Sequence, residues 1–338
     1  MSEASMIGLD LAKNFIQAHG VDGAGKVLFR KKLRRNELMA FLAAQPPCVV
    51  AMEACSGAHH VGREAMKLGH TPRLVPPAYV KPFAKRGKSD RIDAEAVVDA
   101  ASRPNMRFVA VKSQAQQAAA LVFRTRDLFV RQRTQAINAL RGHLAEFGLV
   151  AAKGRAHVAD LAALIDDAAT PQTARPMCAL LVETIGALDA RIKLLDREIA
   201  RRAKADATAS RLMSIPNVGP VTSTAFLALA PPPETFRRGR DFAAWVGLTP
   251  LQRSTGGRDK IGKTSKRGER TLRRLLMLGA AGRVRHALRG GAGDPWLERM
   301  LARKPRALVI TALANKMART VWAVAAHGQT YRAPAAAA

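Results

Sequence analysis

The chain has 338 residues, with 55 Lys and Arg against 26 Asp and Glu, for a formal net charge of +29. A hydrophobic content of 48% is enough for packed cores, so this is no disordered basic tail, and so large a positive charge favours a polyanionic partner, nucleic acid ahead of an anionic membrane surface. The sequence lacks an 18-residue apolar run and a basic-then-apolar leader, and its three cysteines form no CxxC pair. A membrane span, a secretory signal, a disulfide framework and a cysteine zinc site are therefore not expected, and a reducing, bacterial-type cytoplasm fits, with the protein on nucleoid DNA. Aromatics at 5% favour a binder that grips phosphates over one that stacks bases.

In chain order, residues 1–110 predict a mixed α/β layer. Residues 6–10, 14–20 and 27–32 read as strands, the last two separated by a glycine-containing turn. A helix over 37–44 stops at Pro46-Pro47, and 48–54 (CVVAMEA) reads as a buried strand. A helix over 58–68 ends at Gly69, 73–75 is a short strand, and 90–102 is helical. Residues 111–205 predict an antiparallel helical arm. Its first helix, 114–147, carries Leu121, Leu128, Ile137, Leu140 and Leu144 at helical spacing; its second, 177–205, carries Leu180, Leu181, Ile185, Leu188, Ile192 and Leu195. Such an arm packs on itself or pairs with a second subunit. Residues 206–332 read as helical with one basic, glycine-rich loop, and 333–338 as a disordered tail.

Four acids stand out in so basic a chain: Asp10 and Glu53 at strand ends, and Asp90 and Asp93 at i, i+3 on one helix face. Acids that converge repel one another, which makes a divalent cation such as Mg²⁺ or Mn²⁺ their natural occupant. Spacing alone also allows a structural reading, in which Asp90 caps its helix, Asp93 pairs with Arg91 or Arg86, and Glu53 bonds a loop. Residues 212–222 (LMSIPNVGPVT) resemble a helix–hairpin–helix element in which Gly219 lets backbone N–H groups approach a phosphate, or else a plain turn. Residues 248–268 form the basic loop, where Arg258, Lys260, Lys263, Lys266 and Arg267 are candidate phosphate contacts or a solvated basic face. Ser254 lies at its centre, and an isolated loop serine is usually a turn former. His59 and His60 read as loop or helix-start residues near the acids, the three tryptophans as core anchors, and the three cysteines as small buried apolar residues.

Taken in order, GLDLAK at 8–13, AMEACSGAHH at 51–60, KSDRIDAEA at 88–96, IPNVGP at 215–220 and GLTPLQRSTGGRDKIGKTSKRGERTLRRLL at 247–276 resemble the transposases of insertion sequence family 110, a group that includes the Piv/MooV-type DNA invertases. The resemblance spans nearly the whole chain. It implies a RuvC-like, RNase-H-type domain over 1–110 with the family's acid quartet at Asp10, Glu53, Asp90 and Asp93. It also implies a coiled-coil linker over 111–205 and a mostly helical transposase domain over 206–332. The family's serine nucleophile falls on Ser254, with Thr255 where many relatives carry a second serine. The resemblance further implies donor and target DNA as substrates, a structured bridge RNA whose loops pair with both, and a homo-oligomer, a dimer or dimer of dimers, in which the acids of one subunit act with the serine of another. Two other classes compete: a RuvC-like, Mg²⁺-dependent, structure-specific nuclease in which water attacks, and a non-catalytic nucleic-acid scaffold. The acid quartet argues against the scaffold, and the long C-terminal block against a minimal resolvase.

Overall fold

A computed structural model describes residues 3–84, 90–291 and 294–333, except for the side chains of Asp90 and Arg91. The 334–338 part of the expected tail lies outside the described residues. The chain divides into two compact units, Met1–Ala115 and Gln116–Ala338.

The first unit is built from β1 (Met6–Leu11), β2 (Phe15–Val21), β3 (Val27–Arg34), α1 (Leu38–Ala43), β4 (Val49–Glu53), α2 (Ala58–Lys67), β5 (Thr71–Val75), α3 (Pro77–Val80) and α4 (Asp90–Ala101). The strands form one sheet in the order β3-β2-β1-β4-β5. β1, β2 and β3 are an antiparallel meander, whereas β4 and β5 run parallel to β1. The meander's second turn is closed by the Asp22 carboxylate, which accepts the N–H groups of Ala24 and Lys26, each at 2.9 Å. Such side-chain-to-backbone bonds are the reason Asp favours turns. Parallel neighbours need a crossover, supplied by α1 before β4 and by α2 before β5. The mixed sheet is consistent with an RNase-H-like domain.

Alternation along the strands assigns their two faces. Ile7, Leu9, Val50 and Met52 are fully buried and pack with Leu38, Leu42, Val61 and Ala65 of α1 and α2. Met6, Ala51 and Val75 point the other way, into a second core with Ala96, Val97, Ala100 and Ala101 of α4. Gly8 lies on this second face and lets α4 close onto β1. A methyl group there would stand 2.5 Å from the Ala94 carbonyl oxygen and 2.5 Å from the Val98 side chain. Gly8→Ala is therefore expected to force the helix off the sheet, at a cost of about 1–3 kcal/mol typical of overpacking. Thermal unfolding reads this directly, and an unchanged midpoint would show that α4 shifts without cost.

The second unit is mostly helical: α5 (Gln114–Ala145), α6 (Val158–Ala163), α7 (Arg175–Ala205), α8 (Ala207–Met213), α9 (Pro220–Leu229), α10 (Gly239–Val246), then β6 (Pro250–Gln252) and β7 (Ile261–Thr264), then α11 (Arg270–Ala287), α12 (Pro295–Arg303) and α13 (Arg306–His327). α5 and α7 are antiparallel: Arg126 pairs with Asp196 at 2.6 Å, and Arg133 with Asp189. Ile137, Leu140 and Leu144 of α5 bury against Leu161, Cys178 and Ile185. Leu121 and Leu128, expected in the same stripe, are instead 62% and 43% exposed, because the buried face of α5 near its start is carried by Ala120 and Phe123. Trp245, Trp296 and Trp322 are partly buried against the core of α8–α13. Cys48 and Cys178 are buried, but Cys55 is only half-buried.

The basic segment expected to be a loop between helices is a β-hairpin, β6–β7. Helical bias in its surroundings concealed it, although Gly256-Gly257 is a hairpin-turn signal. No helix among the described residues is long and apolar enough to cross a membrane.

Candidate active site

Strand register places the first two acids. Leu9 pairs with Met52 across the parallel β1–β4 ladder, so Asp10 and Glu53 follow side by side. Two residues beyond Gly8 and Ala51, both carboxylates lie on the face that α4 covers. α4 brings the third: Asp93 directly precedes Ala94, whose carbonyl meets Gly8. All three acids are half-buried. Burial pushes the Glu53 carboxyl above its ordinary value, and the negative charge of Asp93 pushes it further. The Cys55 thiol is also raised, by burial first and then by the charges of Glu53 and Asp10. Its own backbone hydrogen bond and Arg35 oppose the rise. Arg35 donates to the Ala12 carbonyl at 3.0 Å. Asp90 opens α4 one turn before Asp93; its side chain lies outside the described residues.

Neighbouring carboxylate oxygens are the donor set a hard divalent cation suits. Among the described residues, no three side chains of the His, Cys, Asp and Glu types already stand in coordinating geometry. His59 Nδ1 accepts the backbone N–H of Lys112 at 3.2 Å, and exposed His60 stands 4.0 Å from Glu64.

In the second unit, α8 and α9 flank a tight turn over 214–219. The left-handed position is Asn217, at φ +64°, and not Gly219, at φ −93°. Gly219 is exposed, with nothing within 4 Å of where a side chain would start, and its carbonyl accepts the N–H groups of Thr222 and Ser223. The turn is seated by Gly279 of α11, where a methyl group would stand 2.7 Å from the Asn217 carbonyl oxygen.

The hairpin holds Ser254. Gly256 and Gly257 both have positive φ, as a two-residue type I′ turn requires. Thr255 and Arg258 exchange both backbone hydrogen bonds, and the Arg253 N–H donates to the Lys260 carbonyl at 2.8 Å. Ser254 and Asp259 are therefore directly opposed, and the Ser254 hydroxyl donates to Asp259 Oδ1 at 2.8 Å. Alternation puts Arg253, Thr255, Arg258 and Lys260 on the other face of the ribbon. Lys263, Lys266 and Arg267 are exposed nearer its root. Asp259 escaped the sequence reading; the Gly-Gly pair, which sets residue 254 against residue 259, was the signal that could have found it.

The root is tightly interlocked. A methyl group on Gly268 would fall 1.7 Å from the Trp245 carbonyl oxygen, and one on Gly247 would fall 1.9 Å from that of Arg267; both glycines have positive φ. Arg273 ties the two sides together by donating to the carbonyls of Val246 and Arg267. Gly268→Ala is expected to unseat the ribbon. Limited proteolysis should then cut within 250–266 at least tenfold faster; an unaltered cleavage rate would contradict the interlock.

The mixed sheet, with Asp10 and Glu53 side by side at strand ends and Asp93 on the covering helix, is consistent with an RNase-H-like DEDD domain. A family model for IS110 DEDD transposases matches residues 7–148, and one described as the IS116/IS110/IS902 transposase family matches residues 209–296. The chain is 45% identical over 333 residues to a probable family 20 transposase of Pseudomonas aeruginosa, covering 97% of this chain and 98% of that protein. It is 38% identical to the transposase for insertion sequence element IS1328 of Yersinia enterocolitica, over 98% of this chain and 99% of the other. It is 35% identical to that for IS1111A of Coxiella burnetii, over 98% and 92%. The chain belongs to the IS110 family of transposases. A DEDD transposase domain suggests use of a divalent metal, and a transposase acts on DNA.

Proposed function

We propose that the chain joins donor and target DNA through a covalent Ser254–DNA intermediate, with sequence choice delegated to a bridge RNA. The observation that carries the chemistry is the set of acids on the α4 face, where Asp93 raises the proton affinity of Glu53. Asp10, Glu53 and Asp93, with Asp90 from the resemblance, would hold Mg²⁺ or Mn²⁺. A divalent cation bound there supplies Lewis-acid stabilisation of charge on a phosphodiester. Ser254 Oγ attacks phosphorus: the Oγ–P bond forms, the P–O3′ bond breaks, and a 3′-hydroxyl is released. A 3′-hydroxyl of the partner duplex then attacks the phosphoserine, so bond energy is conserved between strands. The resemblance has the serine of one subunit act with the acids of another in a dimer or dimer of dimers. Arg258, Lys260, Lys263, Lys266, Arg267 and the exposed turn at Gly219 are the proposed backbone contacts, the cations neutralising phosphates. The RNA reading rests on the resemblance and on charge: a +29 chain binds phosphates generally, and base pairing can supply the specificity.

The test incubates the full chain, with Mg²⁺, with duplexes bearing the joined ends and the target of its own insertion element, plus RNA transcribed from the flanking non-coding DNA. Denaturing gels should show a protein–DNA adduct and joined product, both dependent on that RNA. Joined product without any adduct would overturn the serine reading in favour of direct metal-dependent hydrolysis. Undiminished joining without RNA would overturn the guided one.

A further inference from the structure

We propose that Asp259 is the general base for Ser254, an inference that rests on the reading of Ser254 as nucleophile. A serine hydroxyl is a weak nucleophile until a neighbouring group takes its proton. The Ser254 Oγ–H already donates to Asp259 Oδ1 at 2.8 Å, within the reach a general base needs. The pairing is dictated by register: backbone bonds at 253–260 and 255–258 bracket residues 254 and 259 as the closely spaced, non-hydrogen-bonded pair of the ladder. The Gly256-Gly257 turn fixes that register, and a slip of one residue would separate the two side chains. Thr255, the other hydroxyl of the motif, is on the opposite face, bridged to Arg258, and does not share the carboxylate.

In the first transfer the Oγ–P bond forms as the Oγ proton passes to Asp259. The P–O3′ electron pair leaves with the 3′-oxygen, which takes a proton from water. In the second transfer an incoming 3′-hydroxyl attacks the phosphoserine and loses its proton to water. The Oγ–P bond breaks, and the carboxyl of Asp259 returns its proton to Oγ. One carboxyl thus serves both steps and ends in its starting state.

Asparagine separates proton acceptance from positioning, because its amide oxygen still accepts the hydroxyl hydrogen bond but is no base at neutral pH. The measurement is the single-turnover rate of adduct formation on the element's own junction duplex with its RNA and Mg²⁺. The unaltered chain is compared with Asp259→Asn, Asp259→Ala, Asp259→Glu and Ser254→Ala, and DNA retention is measured in parallel. A general base predicts that the asparagine and alanine variants both fall about 10²–10⁴-fold. The glutamate variant should recover at least tenfold, and retention should stay within twofold throughout. An asparagine variant within tenfold of the unaltered chain overturns the inference while leaving the nucleophile reading intact, provided Ser254→Ala forms no adduct. An adduct with Ser254→Ala, or none with the unaltered chain, overturns the nucleophile reading and this inference with it.

Discussion

Ser254→Ala is expected to abolish the covalent protein–DNA adduct and to lower recombination by on the order of 10³-fold or more, the scale on which loss of a nucleophile acts. DNA and RNA retention should stay within about twofold, because the hydroxyl contributes no phosphate charge. Stability should stay within about 0.5 kcal/mol, as for exposed positions generally. The reason is local: Ser254 is exposed, lies near the tip of β6–β7, and spends its hydroxyl hydrogen on Asp259 and not on the core. Thr255 is not expected to take over, since the ribbon turns it to the cationic face beside Arg258. Gel trapping together with a recombination assay checks both halves. Recombination within tenfold of the unaltered chain would remove Ser254 from the chemistry.

The second large effect belongs to Glu53. Glu53→Gln is expected to remove divalent-dependent activity by about 10²-fold or more, while raising the melting temperature of the metal-free chain. Its carboxyl is held above the ordinary value by burial and by Asp93, so the folded chain keeps that proton to a higher pH than the unfolded chain does. Between the ordinary and the raised value the native state binds more protons. Metal-free stability therefore falls as pH rises through that window and is recovered on acidification. Asp93→Asn should flatten the same slope by removing the neighbouring charge. Calorimetry across pH, with and without Mg²⁺, measures all of this. A stability slope identical in the Glu53→Gln variant would mean that the Glu53 proton affinity is not raised in the folded chain, and an undiminished Mg²⁺ response would sink the role of the acids as ligands.

The sheet was legible because its strands carry their own punctuation. Residues 6–10, 14–20 and 27–32 were expected, and Met6–Leu11, Phe15–Val21 and Val27–Arg34 are found; the helices that stop before Pro46 and at Gly69, expected over 37–44 and 58–68, fall equally close at Leu38–Ala43 and Ala58–Lys67. Asp10, Glu53 and Asp93 could be proposed as neighbours because strand-end acids are rare in a basic chain. Their common face became visible only through the β1–β4 register and through Gly8, whose missing side chain seats α4. The hairpin was not foreseen. Its strands, Pro250–Gln252 and Ile261–Thr264, are only three and four residues long, with no fully buried residue, too short to show an apolar alternation. What holds it is tertiary: glycines at its root that admit foreign carbonyls, a contact no local pattern announces. The same blindness hid Asp259, whose meaning depends on a residue five positions earlier across a turn.

The interlock of Gly247 and Gly268 makes the ribbon a lever with a fixed fulcrum, and that imposes a parity rule on its length. Adding one residue to each strand below Ser254 would carry its hydroxyl about 3.3 Å outward but rotate it to the far side. Adding two to each would extend the reach by about 7 Å and restore its aim. Redesign of the reach of this arm is therefore confined to even steps per strand, taken between the fulcrum and the Ser254–Asp259 pair.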